Sequence, residues 1–219
     1  MKNLNNGEIK MSKERLIAFY DAVLAIIMTI LVLELEKPNE MTLRGFLELK
    51  ESFFAYALSF FWLGTMWVNH HNLWMEVEKI SVKTVWTTMF LLFMASFFPY
   101  ATAIISKNFY NAIAQSFYGL IIIGITIAVI FSADTLIKVN EDNKSLTEKI
   151  KKRELLLKYD LVVKIIAFLI SAFFYPPAMM IGLVITTLIV LFVSQKIIKA
   201  EVPYTGEDLK NGQMNELKN

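Results

Sequence analysis

The segment between Arg15 and Glu34 restricts the fold of this chain more than any other part of its sequence. Eighteen residues separate these two charges, and only one of them, Asp21, is charged. A helix needs roughly twenty mostly apolar residues to cross a bilayer, so the segment predicts a transmembrane helix. A carboxylate within such a helix is costly to bury and usually has a partner or a function.

Similar windows without Asp, Glu, Lys or Arg recur along the chain, at 52–75, 84–106, 108–133 and 165–195. As one helix the last window would be about 47 Å long, well beyond a hydrocarbon core of about 30 Å. Pro176 and Pro177 lie in its middle, and two prolines stop a helix. The sequence therefore predicts an all-α membrane protein with six transmembrane helices, at about 16–35, 52–75, 83–107 (bent near Pro99), 108–133, 155–175 and 178–196.

Basic residues are divided unequally between the two sides that six spans define. The side of both termini carries 17 Lys and Arg and the opposite side carries 4, and cytoplasmic segments are the more basic ones. We therefore predict a cytoplasmic N-terminus at 1–14, a six-helix transmembrane domain at 15–200 and a disordered cytoplasmic tail at 201–219. A five-span alternative, with a kinked last helix, would place the tail outside. The connection at 134–154 is expected to be a helical extension, whose basic run at 149–153 sets the orientation, with attraction of anionic lipid headgroups as the alternative.

The composition excludes several classes of function. Hydrophobic residues make up 56% of the chain and charged residues 19%, whereas soluble domains carry about a quarter charged residues. The lack of cysteine excludes disulfides, thiolate metal sites and thiol nucleophiles. The short connections hold no nucleic-acid module, phosphate-binding loop or catalytic constellation. We therefore expect no enzyme, no cofactor and no nucleic-acid partner.

Both histidines, His70 and His71, lie in one polar element near the end of the second predicted helix. Counted from the helix ends, they and Asp21 lie at matching depths of about 8–9 Å. A contact between Asp21 and a histidine is therefore expected, with Trp67 and neighbouring asparagines completing a polar cluster. A proton relay remains an alternative, and a metal site is disfavoured because adjacent helical residues point about 100° apart. Lys164, within the fifth predicted helix, is expected to snorkel toward the cytoplasm.

The first predicted helix also carries an apolar stripe. Ile26, Thr29, Ile30 and Leu33 fall within about 100° of the helix surface, and Asp21 lies about 140° away from Ile26. If Asp21 faces its own subunit, the stripe faces something else. Periodicity alone leaves lipid, another subunit and a pore as alternatives.

The first helix has a spacing found in a known family. Arg15, Phe19 and Asp21, in Arg-Leu-Ile-Ala-Phe-Tyr-Asp, resemble the Arg-x-x-x-Phe-Ser-Asp signature of the transmembrane protein 175 family, which contains the lysosomal potassium channel and bacterial relatives. The Trp and His-His element of the second helix fits as well, and the resemblance covers essentially the whole chain. The sequence departs from the signature at Tyr20, which replaces the usual Ser, and at Ala22, which follows the Asp where the family often has Gly.

The resemblance implies a potassium-preferring cation channel with no cofactor or bound metal, its partners being the lipid bilayer and the permeant monovalent cations. It also implies a homotetramer in which the first helix of each subunit lines a central pore. The family's pore-facing positions correspond to a first constriction, or hydrophobic gate, at Ile26, followed by Thr29, Ile30 and Leu33. The residues that brace this helix would be Arg15, Phe19, Asp21, Trp67, His70 and His71.

Two other functions remain open at this point. The first is a proton-coupled carrier or proton pathway that uses Asp21 with His70 and His71. The second is a membrane assembly without transport, in which the polar cluster only holds helices together.

Overall fold

The computed structural model describes the backbone of residues 12–201 and the side chains of residues 12–192. Within this range the regular structure consists of eight α-helices. They are α1 (Lys13–Leu33), α2 (Leu43–Glu48), α3 (Lys50–Glu76), α4 (Val82–Ser96), α5 (Phe98–Lys107), α6 (Ala112–Val139), α7 (Lys144–Phe173) and α8 (Ala178–Glu201). The predicted all-α class is confirmed for the described residues. The predicted tail beyond residue 201 and residues 1–11 of the N-terminal segment lie outside them.

Polar caps fix where several helices begin. Ser12 caps α1 by accepting a hydrogen bond from the Arg15 amide, and Asn111 and Asn143 cap α6 and α7 in the same way. At the start of α4, Ser81 forms a reciprocal capping box. These side chains satisfy amides that the first turn of a helix leaves unpaired.

The two predicted interruptions at prolines are present. The third predicted span breaks at Phe97, and Pro99 lies in the first turn of α5, where its missing N–H costs nothing. The long window at 165–195 breaks between Phe173 and Ala178, and the Ser171 hydroxyl donates to the Pro176 carbonyl across the turn at 2.6 Å. Short α2 was not predicted. The predicted helical extension at 134–154 is present for most of its length, since α6 continues to Val139 and α7 begins at Lys144.

Helix α6 lies at the centre of the bundle, where it packs against α4, α5, α7 and α8. Helix α1 packs on α3, α4 and α5 through one fully or almost fully buried face, formed by Leu16, Tyr20, Leu24, Ile27 and Leu31. These residues recur every three or four positions, which is the period of one helical face. The opposite face of α1 is therefore left outside the core of the protomer.

Among the residues that the structure describes, three helical stretches are long and apolar enough to cross a membrane: Lys13–Leu33, Val82–Lys107 and Ala112–Val139. Ala178–Phe192 is a shorter apolar helix. Helices α3 and α7, which the sequence places in the membrane as well, carry more polar side chains. The complete set of six spans stays a prediction.

Candidate functional site

The outward face of α1 holds the four residues of the predicted stripe. Ile26 is 58% exposed and Leu33 77% exposed, and Thr29 and Ile30 are exposed beside them. Other long helices of the chain also expose large apolar side chains, as a membrane-facing surface requires. The structure thus brings the four residues together on one surface, where Ile26 and Ile30 also line a groove with Pro99 and Tyr100 of α5.

Thr29 is the polar member of this face. Its hydroxyl donates to the Ile26 carbonyl in the preceding turn, at 2.8 Å. A threonine hydroxyl has one proton and two lone pairs, so the proton is used within the helix and the lone pairs remain. The group can therefore coordinate a cation or accept a hydrogen bond, but it has no proton to offer an anion.

Asp21 links α1 to α3, though not through a histidine. Its carboxylate accepts a hydrogen bond from the Trp67 indole nitrogen at 2.8 Å, and the Trp67 ring stacks on His71 with centroids 5.4 Å apart. Trp67 and His71 are four residues apart and share one face of α3. The prediction that a histidine is the partner of Asp21 is thus wrong. The Trp67 indole donates the hydrogen bond instead, and His71 packs against the Trp67 ring.

His70 also faces α1 and lies between two aromatic rings. The Tyr20 ring stacks on it at 3.6 Å and the Trp74 ring at 4.9 Å. Within residues 12–192, neither nitrogen of His70 nor the hydroxyl of Tyr20 has a hydrogen-bond partner. Tyr20, at the position where the family signature has Ser, therefore contacts His70 through its ring rather than through its hydroxyl.

The remaining predicted bracing residues, Arg15 and Phe19, are exposed on α1. The structure therefore divides the predicted cluster into two groups. One is Asp21 with Trp67 and His71, the other is His70 with aromatic neighbours, and the Arg15 and Phe19 side chains face away from the core. Among the described residues, no group of three His, Asp or Glu is arranged to hold a metal ion.

A buried ion pair was missed from the sequence. Lys164 is 2% exposed, and its ammonium bonds to Asp160 at 2.5 Å and to the Thr126 hydroxyl at 3.0 Å. It also lies over the Trp62 ring, 5.2 Å from the centroid. The expectation that Lys164 snorkels is wrong, because Asp160, one turn earlier, neutralises the charge within the bundle. The sequence signal that could have revealed this ion pair is an acid and a base four residues apart within one predicted span.

These features define a class: a helical membrane protein whose first helix is tied to the bundle on one face and exposed on the other. The profile of the family described as "Endosomal/lysosomal potassium channel TMEM175" matches residues 15–99, which include the stripe and the polar cluster. A protein named as a potassium channel from Chryseobacterium sp. (strain P1-3) is 34% identical over 166 residues, covering 76% of this chain and 85% of that one. The chain belongs to the TMEM175 family, and the resemblance seen in its first helix is confirmed.

Solved structures show the same fold. A TMEM175 homologue from Chamaesiphon minutus, described as a lysosomal potassium-selective channel homologue, matches with a TM-score of 0.64 and 21% identity, over 84% of this chain and 97% of that one. A variant of the potassium channel MtTMEM175 matches with a TM-score of 0.58 and 16% identity, over 91% and 99% of the two chains.

Proposed function

We propose that this chain is the subunit of a potassium-preferring cation channel, and that four copies surround a central pore lined by α1. One observation carries this proposal: Ile26, Thr29, Ile30 and Leu33 are exposed together on one face of α1, opposite a buried face. Membership of a potassium-channel family and the name of the Chryseobacterium relative support the same function.

Small residues on α1 support contact between copies of this helix. Ala18, Ala22 and Ala25 are exposed on a strip adjoining the apolar stripe. Small side chains at this spacing let helices approach closely within a membrane. A tetramer with α1 at its axis uses these alanines for contact between subunits and directs the larger stripe residues into the pore.

We place six spans in the membrane and both termini in the cytoplasm. The proposed spans are α1, α3, α4 with α5, α6, the apolar part of α7, and α8. The excess of basic residues on the side of the termini, 17 against 4, supports this orientation. In this arrangement His70, His71 and Asp21 lie near the cytoplasmic ends of their helices, and Ile26 lies deeper in the membrane.

Ile26 is proposed as the gate. Four isoleucine side chains around a narrow axis form an apolar ring, and such a ring blocks ions when water leaves it. Ile30 and Leu33 extend the apolar lining along the same face. Small changes in the tilt of α1 would then decide whether the ring is wet.

Thr29 is proposed to favour potassium. A ring of Thr29 oxygens presents lone pairs and so replaces part of a cation's hydration shell. Because such a ring supplies only a small number of ligands, it selects between cations by ionic size only weakly. We therefore expect a modest preference for potassium over sodium.

Reconstitution of the purified full chain into liposomes tests the proposal. Wild-type protein should carry potassium, and bi-ionic reversal potentials should show preference over sodium. Ile26→Asn should raise the flux because an amide keeps water in the constriction. Ile181→Asn is the matched control, since Ile181 lies on α8 and is 49% exposed. Equal flux in wild type and Ile26→Asn would refute the gate, and an equal rise with Ile181→Asn would point to leaky bilayers.

The same assay separates the rival functions. A proton carrier would give saturable transport that depends steeply on pH and that Asp21→Asn abolishes. An indole N–H only donates, so the bond from Trp67 to Asp21 gives little support to a relay between Asp21 and the histidines. A membrane assembly without transport would show no flux in any variant.

A further inference from the structure

A second feature of the protomer lies behind α1, on the side away from the proposed pore face. A cavity of about 210 Å³ lies between α3, α6, α7 and α8, and Tyr20 of α1 forms part of its wall. Its lining is mostly apolar and includes Leu73, Leu136, Val163 and Ile189. The cavity is thus a separate site from the outward stripe of α1.

Two buried polar groups line this cavity without a partner. Tyr20 is fully buried, and in the described part of the chain both ring nitrogens of His70 and the Tyr20 hydroxyl are buried and make no hydrogen bond. Native proteins rarely leave such groups unsatisfied, because burial removes their bonds to water. Their position in the wall of a cavity indicates that a molecule inside it completes their bonds.

The available groups restrict the chemistry of that molecule. A neutral imidazole offers one donor and one acceptor, and a phenol offers both as well. A hydroxyl group can donate to one ring nitrogen of His70 and accept from the Tyr20 phenol at the same time, whereas a carboxylate only accepts and an ammonium only donates. Of the charged groups in the lining, Asp160 and Lys164 pair with each other, and the Arg153 guanidinium donates to the amide oxygen of Asn69.

We propose that this cavity binds a neutral amphiphile with a hydrocarbon body and a hydroxyl end, such as an alcohol dissolved in the membrane. The hydroxyl bonds to His70 and Tyr20, and the hydrocarbon lies along the apolar wall. Because Tyr20 belongs to α1, occupancy stabilises the inner face of the helix that carries Ile26. This effect on ion flux rests on the proposed function, but the binding itself does not.

Tryptophan fluorescence gives a direct assay, since Trp62 and Trp74 line the cavity. The probe is 8-bromo-1-octanol, whose bromine quenches tryptophan on contact, added to purified full-length protein in detergent. The assay uses a Trp86→Phe background, because Trp86 is 70% exposed and would report non-specific contact. Trp67, 38% exposed, is kept because it bonds to Asp21, and its contribution to quenching does not saturate. Saturable quenching is expected with the alcohol, and weaker quenching with 1-bromooctane or 8-bromooctanoate.

Conservative variants test the two polar groups. His70→Phe and Tyr20→Phe keep the aromatic stacking and remove the hydrogen-bonding atoms, so each should weaken apparent binding about tenfold, the value of one hydrogen bond. Tyr118→Phe is the matched control, because Tyr118 is fully buried but bonds to Ser59. That control should leave quenching unchanged.

The proposal is overturned if quenching does not saturate, or if 1-bromooctane quenches as well as the alcohol and the polar variants change nothing. If the polar variants aggregate, Val190→Phe decides, because it fills the cavity and leaves both polar groups in place. It should abolish saturable quenching, and unchanged quenching would refute the site. Saturable quenching by a protein that carries no ions would support this site and refute the proposed channel.

Discussion

The buried pair of Asp160 and Lys164 allows a sharp test of how this bundle is stabilised. The two side chains are 7% and 3% exposed, and their charged atoms lie 2.5 Å apart. Lys164→Met removes the ammonium and leaves a carboxylate without compensation in an apolar surrounding. Breaking a buried pair in this way costs about 3–5 kcal/mol. The double variant Asp160→Leu/Lys164→Met removes both charges, and its cost should be close to zero.

The chain contains a matched control pair. Asp134 and Lys138 have the same residue types and the same spacing, with charged atoms 2.7 Å apart, but their side chains are 46% and 67% exposed. Solvent screens an exposed pair, so Lys138→Met should have little effect.

Thermal denaturation of the detergent-solubilised protein measures these differences. For a chain of this size, 1 kcal/mol corresponds to about 2–4 °C in Tm. Lys164→Met should therefore lower Tm by about 6–20 °C, Lys138→Met by no more than about 2 °C, and the double variant by much less than Lys164→Met alone. A Tm for Lys164→Met equal to that of Lys138→Met, or a double variant as unstable as the sum of the single ones, would refute the reasoning.

Four further predictions concern α1 and the helix contacts. Trp67→Phe removes the indole N–H that donates to the Asp21 carboxylate, so it should cost about 1.5–3 kcal/mol in the same denaturation assay and change potassium flux. Gly182→Ala should destabilise by about 1–3 kcal/mol, because its new Cβ would lie 2.4 Å from a rigid alanine Cβ on α7. Gly124→Ala should be neutral or stabilising, since it meets only the flexible end of a methionine. Thr29→Val should lower the preference for potassium in reversal potentials and leave flux in place, and an unchanged preference would remove Thr29 from the selectivity mechanism.

The helices and their interruptions could be predicted because their causes are local. A window without charged residues predicts an apolar helix regardless of what that helix packs against, and a proline interrupts a helix regardless of its neighbours. The break at Phe97 and the turn around Pro176 were therefore visible in the sequence. Short α2 was missed because its six residues are too few to show a helical period in hydrophobicity.

The partners of the polar residues could not be predicted in the same way. Depth in the membrane placed Asp21 beside the histidines, but it could not show that the Trp67 indole reaches the carboxylate first. The prediction for Lys164 assumed that its ammonium reaches water, although its counter-charge, Asp160, lies one turn away within the bundle. Both choices depend on side-chain directions across neighbouring helices, which a depth count does not contain.

The sequence by itself determined the class of this protein, its family and the stripe on its first helix, because hydropathy, motif spacing and helical period are properties of short segments. Only the tertiary structure decided which face of α1 is buried, which donor Asp21 receives, and that His70 and Tyr20 line one cavity. These depend on residues that lie about fifty positions apart in sequence and meet only when the helices pack. Each helix is thus specified by its own residues, whereas the sites form between helices.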